Sequence, residues 1–421
     1  MGDEKNHSGI FYGWYIVAAS FLILFFNSGA MYSFGVVFKP IVAEFCWGRG
    51  PVSLVFFVNM VVFALAIAVT GRLYDRYGPK WVIVVCSLFL CVGLILTAFM
   101  TAFWHFVLAY GLLVAIGFAG TSISLMGALI SRWFVARRGL AISLAIAGFC
   151  LGQFVIVPLF TMGTLRFGWR LSYALMGLVS LAINSLLAFF VIKDGKPRGN
   201  SRNSLVASVQ FGDSSTDGPS PAAPPVRDMG LREALKTRSY WLFLIVMFIC
   251  GSHDFFVTTH LVPFATDNGV TAATASNMLA WFGLIGFAGV LIAGPMADHT
   301  GVKAVVILSF VLRVLAFPMI LLFTDHTSIW IFSLAIGFSS IMTAPLNPVL
   351  MGKLYGLSHL GLLSGLVVTL HHTGGGFWTF VGGMLFDSSG DYRLAFLLSA
   401  VTSALAILCT ILIREKRHTP Q

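Results

Sequence analysis

Two copies of one short pattern decide the fold. The ten residues GRLYDRYGPK occupy positions 71–80, and GPMADHTGVK occupies positions 294–303. Gly, Asp, Gly and Lys recur in them at identical spacing, 223 residues apart. Each copy ends an apolar block of about 20 residues, the length that a helix needs to cross the hydrocarbon core of a membrane.

Two other junctions repeat at nearly the same distance. Trp169-Arg170-Leu171 returns as Tyr392-Arg393-Leu394 after 223 residues, and Gly139-Leu140 returns as Gly361-Leu362 after 222 residues. Three matched junctions at nearly one offset predict a parallel internal duplication. This arrangement places a binding site near the middle of the bilayer, between the two halves.

The composition indicates a membrane protein. Of the 421 residues, 58% are hydrophobic and 10% are charged, whereas a soluble domain carries about 25% charged residues. The long apolar runs are unlike the short alternating strands of a barrel. They predict an all-α integral membrane protein with twelve transmembrane helices in two parallel-repeated six-helix bundles. The predicted spans are 12–37, 52–73, 81–101, 103–131, 138–163, 171–192, 240–265, 274–296, 303–324, 327–351, 359–385 and 393–413.

A polar segment separates the sixth span from the seventh. Its centre, Asn200–Pro225, is rich in Ser, Pro and Gly and cannot bury enough apolar surface to fold. We therefore predict an N-terminal six-helix bundle over 1–192, a cytoplasmic linker over 193–239 and a C-terminal six-helix bundle over 240–421. Leu231–Lys236, near the end of the linker, is expected to form a short helix at the membrane surface.

The positive charge is distributed unevenly. The net charge is +10, and 20 of the 26 Lys and Arg residues lie in segments on the side of the N-terminus. This bias follows the positive-inside rule. It predicts an inner- or plasma-membrane protein with both termini in the cytoplasm, and it argues against a nucleic-acid partner. The exceptions are Lys39, Arg49, Arg166, Arg170 and Arg393 on the other side, and Arg313 within a span.

Several classes of protein lack support in the sequence. The six cysteines show no CxxC spacing, so neither a disulfide framework nor a metal site is predicted. No nucleotide-binding GxxxxGK[ST] loop and no HExxH or GxSxG motif is present, so we expect no cofactor and no enzyme. The linker is too polar to form the output domain of a sensor. The expected partners are lipid, a small-molecule substrate and protons, and the expected state is a monomer.

The repeated pattern has a mechanical interpretation. Its glycines allow a tight turn between two helices. Asp75 can accept from N–H groups at the start of a neighbouring helix, while Arg76 and Lys80 can reach acidic or carbonyl partners. We predict a conformational latch, with an ordinary charged loop as the alternative. The latch residues are Gly71, Asp75, Arg76, Gly78 and Lys80, and in the second copy Gly294, Asp298, Gly301 and Lys303.

In this topology, the pattern G-x-x-x-D-R-x-G-x-K resembles the loop signature of the major facilitator superfamily, and the resemblance covers essentially the whole chain. It implies the major facilitator fold and alternating access by rocking of the two halves, driven by an ion or substrate gradient. Four segments are also similar to bacterial monocarboxylate and oxalate/formate-type porters: Phe11–Trp14, Trp133–Ala141, His260–Asp267 and Phe386–Tyr392.

The chain departs from that porter group at one position. The resemblance implies an arginine within the eighth span that pairs with the substrate carboxylate. Here the position falls near Val290, and the stretch Asn277–Met296 contains no basic residue. If the substrate is a carboxylate, another cation must bind it.

Ionisable residues inside spans are costly in hydrocarbon and mark functional sites. Arg313 lies near the middle of the ninth span and could bind a carboxylate bidentately; pairing with a neighbouring helix is the alternative. In the seventh span, Asp254 and His260 could carry protons, although Asp254 could also be a buried structural partner. For His260, the resemblance implies a place in the substrate pocket.

Further polar residues complete the predicted substrate site: Asn277, Asn347, His372 and Tyr32. Each could equally form a hydrogen bond between helices. The neighbours His371 and His372 diverge by about 100° on a helix, so at most one is expected to face a cavity squarely. The 39 phenylalanines and 10 tryptophans are interpreted as lipid contacts and core packing.

These features together predict a secondary active transporter that moves a small organic anion, of the monocarboxylate class, by alternating access with proton symport. Anion exchange is an open alternative. So is efflux of an amphipathic neutral or cationic compound, which the missing arginine of the eighth span and the intramembrane Asp254 would suit.

Overall fold

A computed structural model describes residues 11–134, 137–193, 229–356 and 359–414. In these ranges twelve helices have 20 residues or more, and a single helical turn, Leu231–Ala234, lies in the predicted short helix. The predicted linker centre, Asn200–Pro225, lies outside the described residues. The twelve helices are α1 (Gly13–Phe45), α2 (Arg49–Tyr77), α3 (Pro79–Ala98), α4 (Phe103–Ser131), α5 (Arg138–Phe167), α6 (Trp169–Phe190), α7 (Arg238–Asp267), α8 (Ala272–Thr300), α9 (Val302–Leu322), α10 (His326–Tyr355), α11 (Leu360–Ser389) and α12 (Arg393–Leu412).

The helices agree with the predicted spans. Eleven of those described are long and apolar enough to cross a membrane. The other, α11, has 30 residues, but its glycines and paired histidines make it less apolar. The helix α1 continues through Pro40 to Phe45, beyond the predicted end of the first span at residue 37. A helix is not limited by the hydrocarbon, and α1 therefore extends beyond its apolar run.

The repeated pattern forms the same turn twice. Gly78 separates α2 from α3 with φ of 81°, and Gly301 separates α8 from α9 with φ of 87°. Each glycine N–H donates to the carbonyl four residues earlier, on Tyr74 and Ala297, at 2.9 Å. Residues with a Cβ rarely adopt these angles, so the glycine spacing in the two copies has a direct backbone cause.

Helix packing is also repeated along the chain. α1 packs on α5 as α7 packs on α11, and α3 packs on α6 as α9 packs on α12. The first six helices meet the last six through two matched pairs, α2 with α11 and α8 with α5, and through α1 with α7. The contacts thus follow the internal repeat that the sequence predicts.

Two helices are broken at matching positions. In α4, the helical pattern is interrupted around Thr121, after a π-helical stretch at Val107–Val114. In α10, it changes to a short 3₁₀ turn at Ile341–Thr343 before Pro345, which has no N–H to donate. The two breaks are about 223 residues apart. Irregular backbone at membrane depth is tolerated where it lines a cavity, and both breaks do so.

The linker side is the end at which α1 begins and α12 ends, and it contains Gly78 and Gly301. The far side is the opposite end, and it contains Asp267 and Gly390.

Candidate functional site

A cavity of about 280 Å³ lies between the first six and the last six helices. Its lining positions run from the middle of the helices toward the linker side. The lining residues come from both groups of helices: Leu24, Asn27, Met31, Tyr32, Phe63, Ile67, Phe118, Thr121, Ser122, Ile123, Ser124, Ile146 and Phe149 from the first, and Met247, Asp254, Phe255, Thr258, Phe282, Val290, Ser340, Ile341, Thr343, Ala344, Pro345, Asn347, Val368, His371 and His372 from the second.

A buried ion pair stands at the wall of this cavity. Nη2 of Arg313, on α9, lies 2.9 Å from Oδ1 of Asp254, on α7. Arg313 is fully buried, whereas Asp254 lines the cavity. The arginine therefore lies behind the aspartate and does not itself line the cavity. Val290, where the resemblance implies an arginine, lines the cavity as an apolar residue.

Arg313 has other partners that fix its position. Nη1 donates to the carbonyl of Cys250 on α7 at 3.1 Å, and Nη2 donates to the carbonyl of Ser339 on α10 at 3.1 Å. These oxygens remain available whether Asp254 is charged or neutral. The guanidinium is therefore held beside the cavity independently of its acidic partner.

The Asp254 carboxylate has fewer and longer contacts than the Arg313 guanidinium. Its Oδ1 has no aligned hydrogen-bond donor, despite the close approach of Arg313. Its Oδ2 is 3.6 Å from Cys250 Sγ and 3.9 Å from His371 Nε2, and the second distance is too long for a hydrogen bond. The negative charge thus depends mainly on one guanidinium, and a proton can compete for it.

Cys250, Asp254 and His371 also resemble a metal site in spacing, since their ligand atoms lie within 4.8 Å of one another. Arg313 contacts two of these groups, because its Nη2 is 3.6 Å from Cys250 Sγ and pairs with Asp254. Its positive charge repels a cation at this point. The arrangement is therefore less suited to a metal ion than its spacing alone indicates.

The histidines of α11 both line the cavity. Which of the two faces it squarely is not decided by the lining, and the expectation that at most one does so stays a prediction. Nδ1 of His372 donates to the Val368 carbonyl at 2.8 Å, which leaves Nε2 for other partners. Nδ1 of His371 is buried without a hydrogen-bond partner.

The remaining predicted substrate residues divide into two groups. Tyr32 and Asn347 line the cavity, and Nδ2 of Asn347 donates to the Ser364 carbonyl at 3.4 Å. Asn277 is exposed and lies away from the cavity, because α8 begins at Ala272 and places it near the far-side end. His260 is buried nearer the far side and does not line the cavity.

The far side is closed by charged contacts between the two groups of helices. Asp267, at the end of α7, pairs with Lys39 of α1 at 2.8 Å and with Arg49 of α2 at 2.7 Å. The Arg49 guanidinium also lies 3.5 Å from the centre of the Phe386 ring, a distance suited to a cation–π contact.

A second contact closes the far side through a helix terminus. The Asp387 carboxylate accepts hydrogen bonds from the backbone N–H groups of Arg49 at 2.8 Å and Gly50 at 2.7 Å. These are the first two residues of α2, where N–H groups are unpaired and the helix dipole favours an anion. Further toward the middle of the bundle, the Gln153 amide of α5 donates to the Leu279 carbonyl of α8 at 2.9 Å.

His260 belongs to this closed region. Its Nε2 is 3.0 Å from the Thr379 carbonyl and its Nδ1 is 2.8 Å from the Tyr392 hydroxyl. Because a carbonyl only accepts, Nε2 donates and Nδ1 accepts from Tyr392. The hydroxyl in turn accepts from Arg49 Nη1 at 2.9 Å. A chain of hydrogen bonds therefore joins α2 to α12, α7 and α11.

The predicted latch residues lie on the linker side and bond within their own half. Asp75 pairs with Arg132, directly after α4, at 3.1 Å. Lys80 lies 4.5 Å from the Phe189 ring of α6, and Lys303 donates to the carbonyls of Ile411 and Ile413 at the end of α12.

Other residues of the predicted latch are placed as follows. The Arg76 guanidinium lies 5.2 Å from the ring of its neighbour Tyr77, and Asp298 is exposed. Gly71 is buried in α2, whereas at Gly294 an added Cβ would meet no atom within 4 Å. In this conformation, the bonds of Asp75 and Lys303 do not join the two halves.

Sequence reasoning did not assign a role to the far-side contacts. Asp267 and Asp387 each stand within a segment that carries the family resemblance. The usable signal was their position: each is an acidic residue at the far-side end of a span, opposite the basic residues Lys39 and Arg49.

Comparisons with known proteins agree with this architecture. A family model described as Major Facilitator Superfamily matches residues 20–267 and 255–421. A crystal structure of a bacterial homolog to the human lysosomal transporter Spinster, in an inward-facing and occupied conformation, has a TM-score of 0.75 and 14% identity, covering 96% of this chain and 97% of that chain.

Curated relatives cover most of the chain as well. Human monocarboxylate transporter 11 is 26% identical over 398 residues, which span 92% of this chain and 80% of the human protein. The uncharacterized MFS-type transporter YcxA of Bacillus subtilis (strain 168) is 22% identical over 388 residues, 90% of each chain. From the family match and the shared fold, the chain belongs to the Major Facilitator Superfamily: it is a multi-pass membrane protein and a secondary transporter, not an enzyme.

Proposed function

We propose that this protein is a proton-coupled symporter of a small organic anion of the monocarboxylate class. The observation that carries the proposal is the buried pair of Arg313 and Asp254, with the aspartate at the cavity wall and the arginine fixed behind it. Several relatives named as monocarboxylate transporters support the substrate class.

The charges of the pair supply a coupling mechanism. With Asp254 ionised, the pair is neutral, and an entering carboxylate would face a like charge in a medium of low dielectric. A proton on Asp254 removes that charge, while Arg313 stays in place through the carbonyls of Cys250 and Ser339. The substrate carboxylate then balances the guanidinium. Proton and anion therefore bind together, and the loaded site carries no net charge.

Alternating access follows from the contacts at the two ends. We propose that residues 1–192 and 240–421 move as two units, and that the linker side faces the cytoplasm of an inner or plasma membrane, as the excess of Lys and Arg there favours. The cavity would then face inward while Arg49, Asp267 and Asp387 close the outer end. In the opposite state these bonds break, and Asp75 exchanges partners to close the linker side.

The proposal is tested by uptake into proteoliposomes. Labelled lactate, pyruvate, formate and oxalate are offered with and without an inward proton gradient, to the parent protein and to Arg313→Gln. Arg166→Gln is the matched control, because Arg166 is an exposed residue near the far-side end of α5. We expect gradient-stimulated uptake of at least one acid, abolished by Arg313→Gln and retained by Arg166→Gln. Absence of uptake of every acid by folded protein would contradict the proposal.

Two other activities are distinguished in the same assay. Anion exchange would require an acid inside the vesicles and would not respond to the proton gradient. Efflux of an amphipathic cation is a second candidate, favoured by the fact that the charged group lining the cavity is the acidic Asp254 and not Arg313. It predicts proton-driven movement of an aromatic cation such as ethidium, with no uptake of acids.

A further inference from the structure

The two walls of the cavity differ in chemistry. Among the described residues that line it, the ionisable side chains of Asp254, His371 and His372 all lie on α7 and α11. Thr343 and Asn347, from the broken part of α10, add polar groups to the same wall. A substrate with one charged group therefore has a single wall to which that group can bind.

The opposite wall is aromatic and uncharged. It contains Tyr32, Phe63, Phe118 and Phe149, from four helices of the first half. The Tyr32 and Phe149 rings form an edge contact with centres 5.7 Å apart. The polar residues on this wall carry no charge: Asn27, Thr121, Ser122 and Ser124. Such a surface favours a ring over a hydrated head group, because aromatic pairs add attraction beyond the burial of area.

Two further aromatic residues stand beside the charged wall. Phe255 and Phe282, both buried, line the cavity from α7 and α8. The ring of His372 lies 4.9 Å from the Phe63 ring and 5.4 Å from the Phe255 ring. The aromatic surface therefore extends from the first half to the edge of the charged wall.

The volume of the cavity is compatible with a substrate larger than a three-carbon acid. A cavity of about 150 Å³ holds one benzene molecule, and this cavity has about 280 Å³. A three-carbon acid would leave the aromatic wall without a partner. A benzene ring with a short side chain that ends in a carboxylate would contact both walls.

We infer that the preferred substrates are monocarboxylates with an aromatic body, bound with the ring against Tyr32 and Phe149 and the carboxylate toward Asp254 and Arg313. This inference rests on the proposed function and narrows its substrate class. It assigns Phe149 as a specificity-determining residue.

The first test compares molecules that differ in one group. Lactate and 3-phenyllactate share the carboxylate and hydroxyl, whereas 2-phenylethylamine keeps the ring but carries a positive charge. Each is tested as a competitor of labelled 3-phenyllactate uptake, and each is measured directly in labelled form. We expect 3-phenyllactate to have an apparent affinity on the order of tenfold or more above that of lactate, with no transport of the amine.

The outcomes distinguish a failure of the aromatic inference from a failure of the carboxylate proposal. Equal or better transport of lactate would overturn the aromatic inference and leave the carboxylate proposal intact. Transport of 2-phenylethylamine without either acid would overturn both. Protein-free liposomes correct for passive entry of undissociated acid.

The second test changes the aromatic wall. Phe149→Ala is compared with Phe154→Ala, on the same helix, whose ring packs against Trp281 and does not line the cavity. We expect Phe149→Ala to lower the apparent affinity for 3-phenyllactate on the order of tenfold and to change the affinity for lactate little. Phe154→Ala should leave both affinities unchanged. A second variant, Phe149→Trp, reduces the space and should exclude 3-phenyllactate before lactate. An unchanged preference in both Phe149 variants would overturn the inference.

Discussion

Nη2 of Arg313 lies 2.9 Å from Oδ1 of Asp254, yet the two residues have unequal surroundings. The arginine is fully buried and bonded to the Cys250 and Ser339 carbonyls. The aspartate borders the cavity, and its Oδ1 has no aligned donor. One member of the pair is therefore structurally fixed, and the other borders the cavity with fewer partners.

This asymmetry predicts an order of stabilities. Arg313→Gln leaves a buried carboxylate without its cation and should cost about 3 to 5 kcal/mol. Asp254→Asn should cost less, because Arg313 keeps its carbonyl partners. The double variant should be more stable than Arg313→Gln alone. Thermal unfolding of the detergent-solubilised proteins, followed by tryptophan fluorescence, measures all three, and a double variant no better than Arg313→Gln would contradict this assignment.

The loss of stability caused by Arg313→Gln should depend on pH. Without the guanidinium, the Asp254 carboxylate is an uncompensated buried charge, and protonation at low pH removes that charge. The stability of the variant relative to the parent should then rise as pH falls and decline as pH rises. The comparison is a series of melting temperatures between pH 5 and pH 8. A difference from the parent that is constant over this range would show that Asp254 does not respond to the loss of Arg313.

A third prediction concerns closure of the far side. Asp387→Asn keeps the shape of the side chain but removes the charge at the N-terminus of α2, a contribution of about 0.3 to 2 kcal/mol. The protein should open more often at this end. The buried residue Ser53, 3.4 Å from His260, reports opening when replaced by cysteine in a Cys46→Ser background, since Cys46 is the one exposed cysteine of the six.

The readout is the rate of maleimide labelling in detergent. Ser53→Cys should react slowly in the parent and at least about twofold faster with Asp387→Asn, following the lost contact energy. Thr101→Cys, in an exposed loop on the same side, should react at equal rates in both. An unchanged labelling rate at position 53 would show that Asp387 does not help to hold the far side closed.

A pair of glycines tests the packing beside the cavity. An added Cβ at Gly251 of α7 would overlap the carbonyl oxygen of His371, whereas at Gly365 of α11 it would meet nothing within 4 Å. Gly251→Ala should destabilise the protein by about 1 to 3 kcal/mol through overpacking. Gly365→Ala should be neutral or stabilising by up to about 1 kcal/mol. Equal melting temperatures would show that α7 and α11 are not held as close as this contact requires.

The helices could be predicted from the sequence because each is a long apolar run. The turns after α2 and α8 could be predicted because each copy of the repeated pattern contains a glycine at the same spacing. The ends were less certain, since helices such as α1 continue past the hydrophobic block. Asn277 was expected in the substrate site but is exposed close to the far-side end, because α8 begins at Ala272.

The partners within the site needed the structure. Asp254 and Arg313 could both be singled out, since charges inside spans are rare. Their pairing depends on how α7 and α9 are rotated about their axes, which a hydropathy pattern does not fix when helices are apolar on every face. The separation of the cavity into an aromatic and an ionisable wall likewise depends on how eight helices meet.

The central claim, that Asp254 carries the coupled proton, is tested most directly by measuring proton entry together with substrate entry. Vesicles containing a pH-sensitive dye receive lactate or 3-phenyllactate at equal pH on both sides, and protein-free liposomes give the passive rate. The account predicts that the parent protein acidifies the lumen as the acid enters. It predicts that Asp254→Asn loses this acidification but still exchanges labelled for unlabelled acid at a measurable rate. Acidification by Asp254→Asn in the same proportion to acid moved as in the parent would contradict the account.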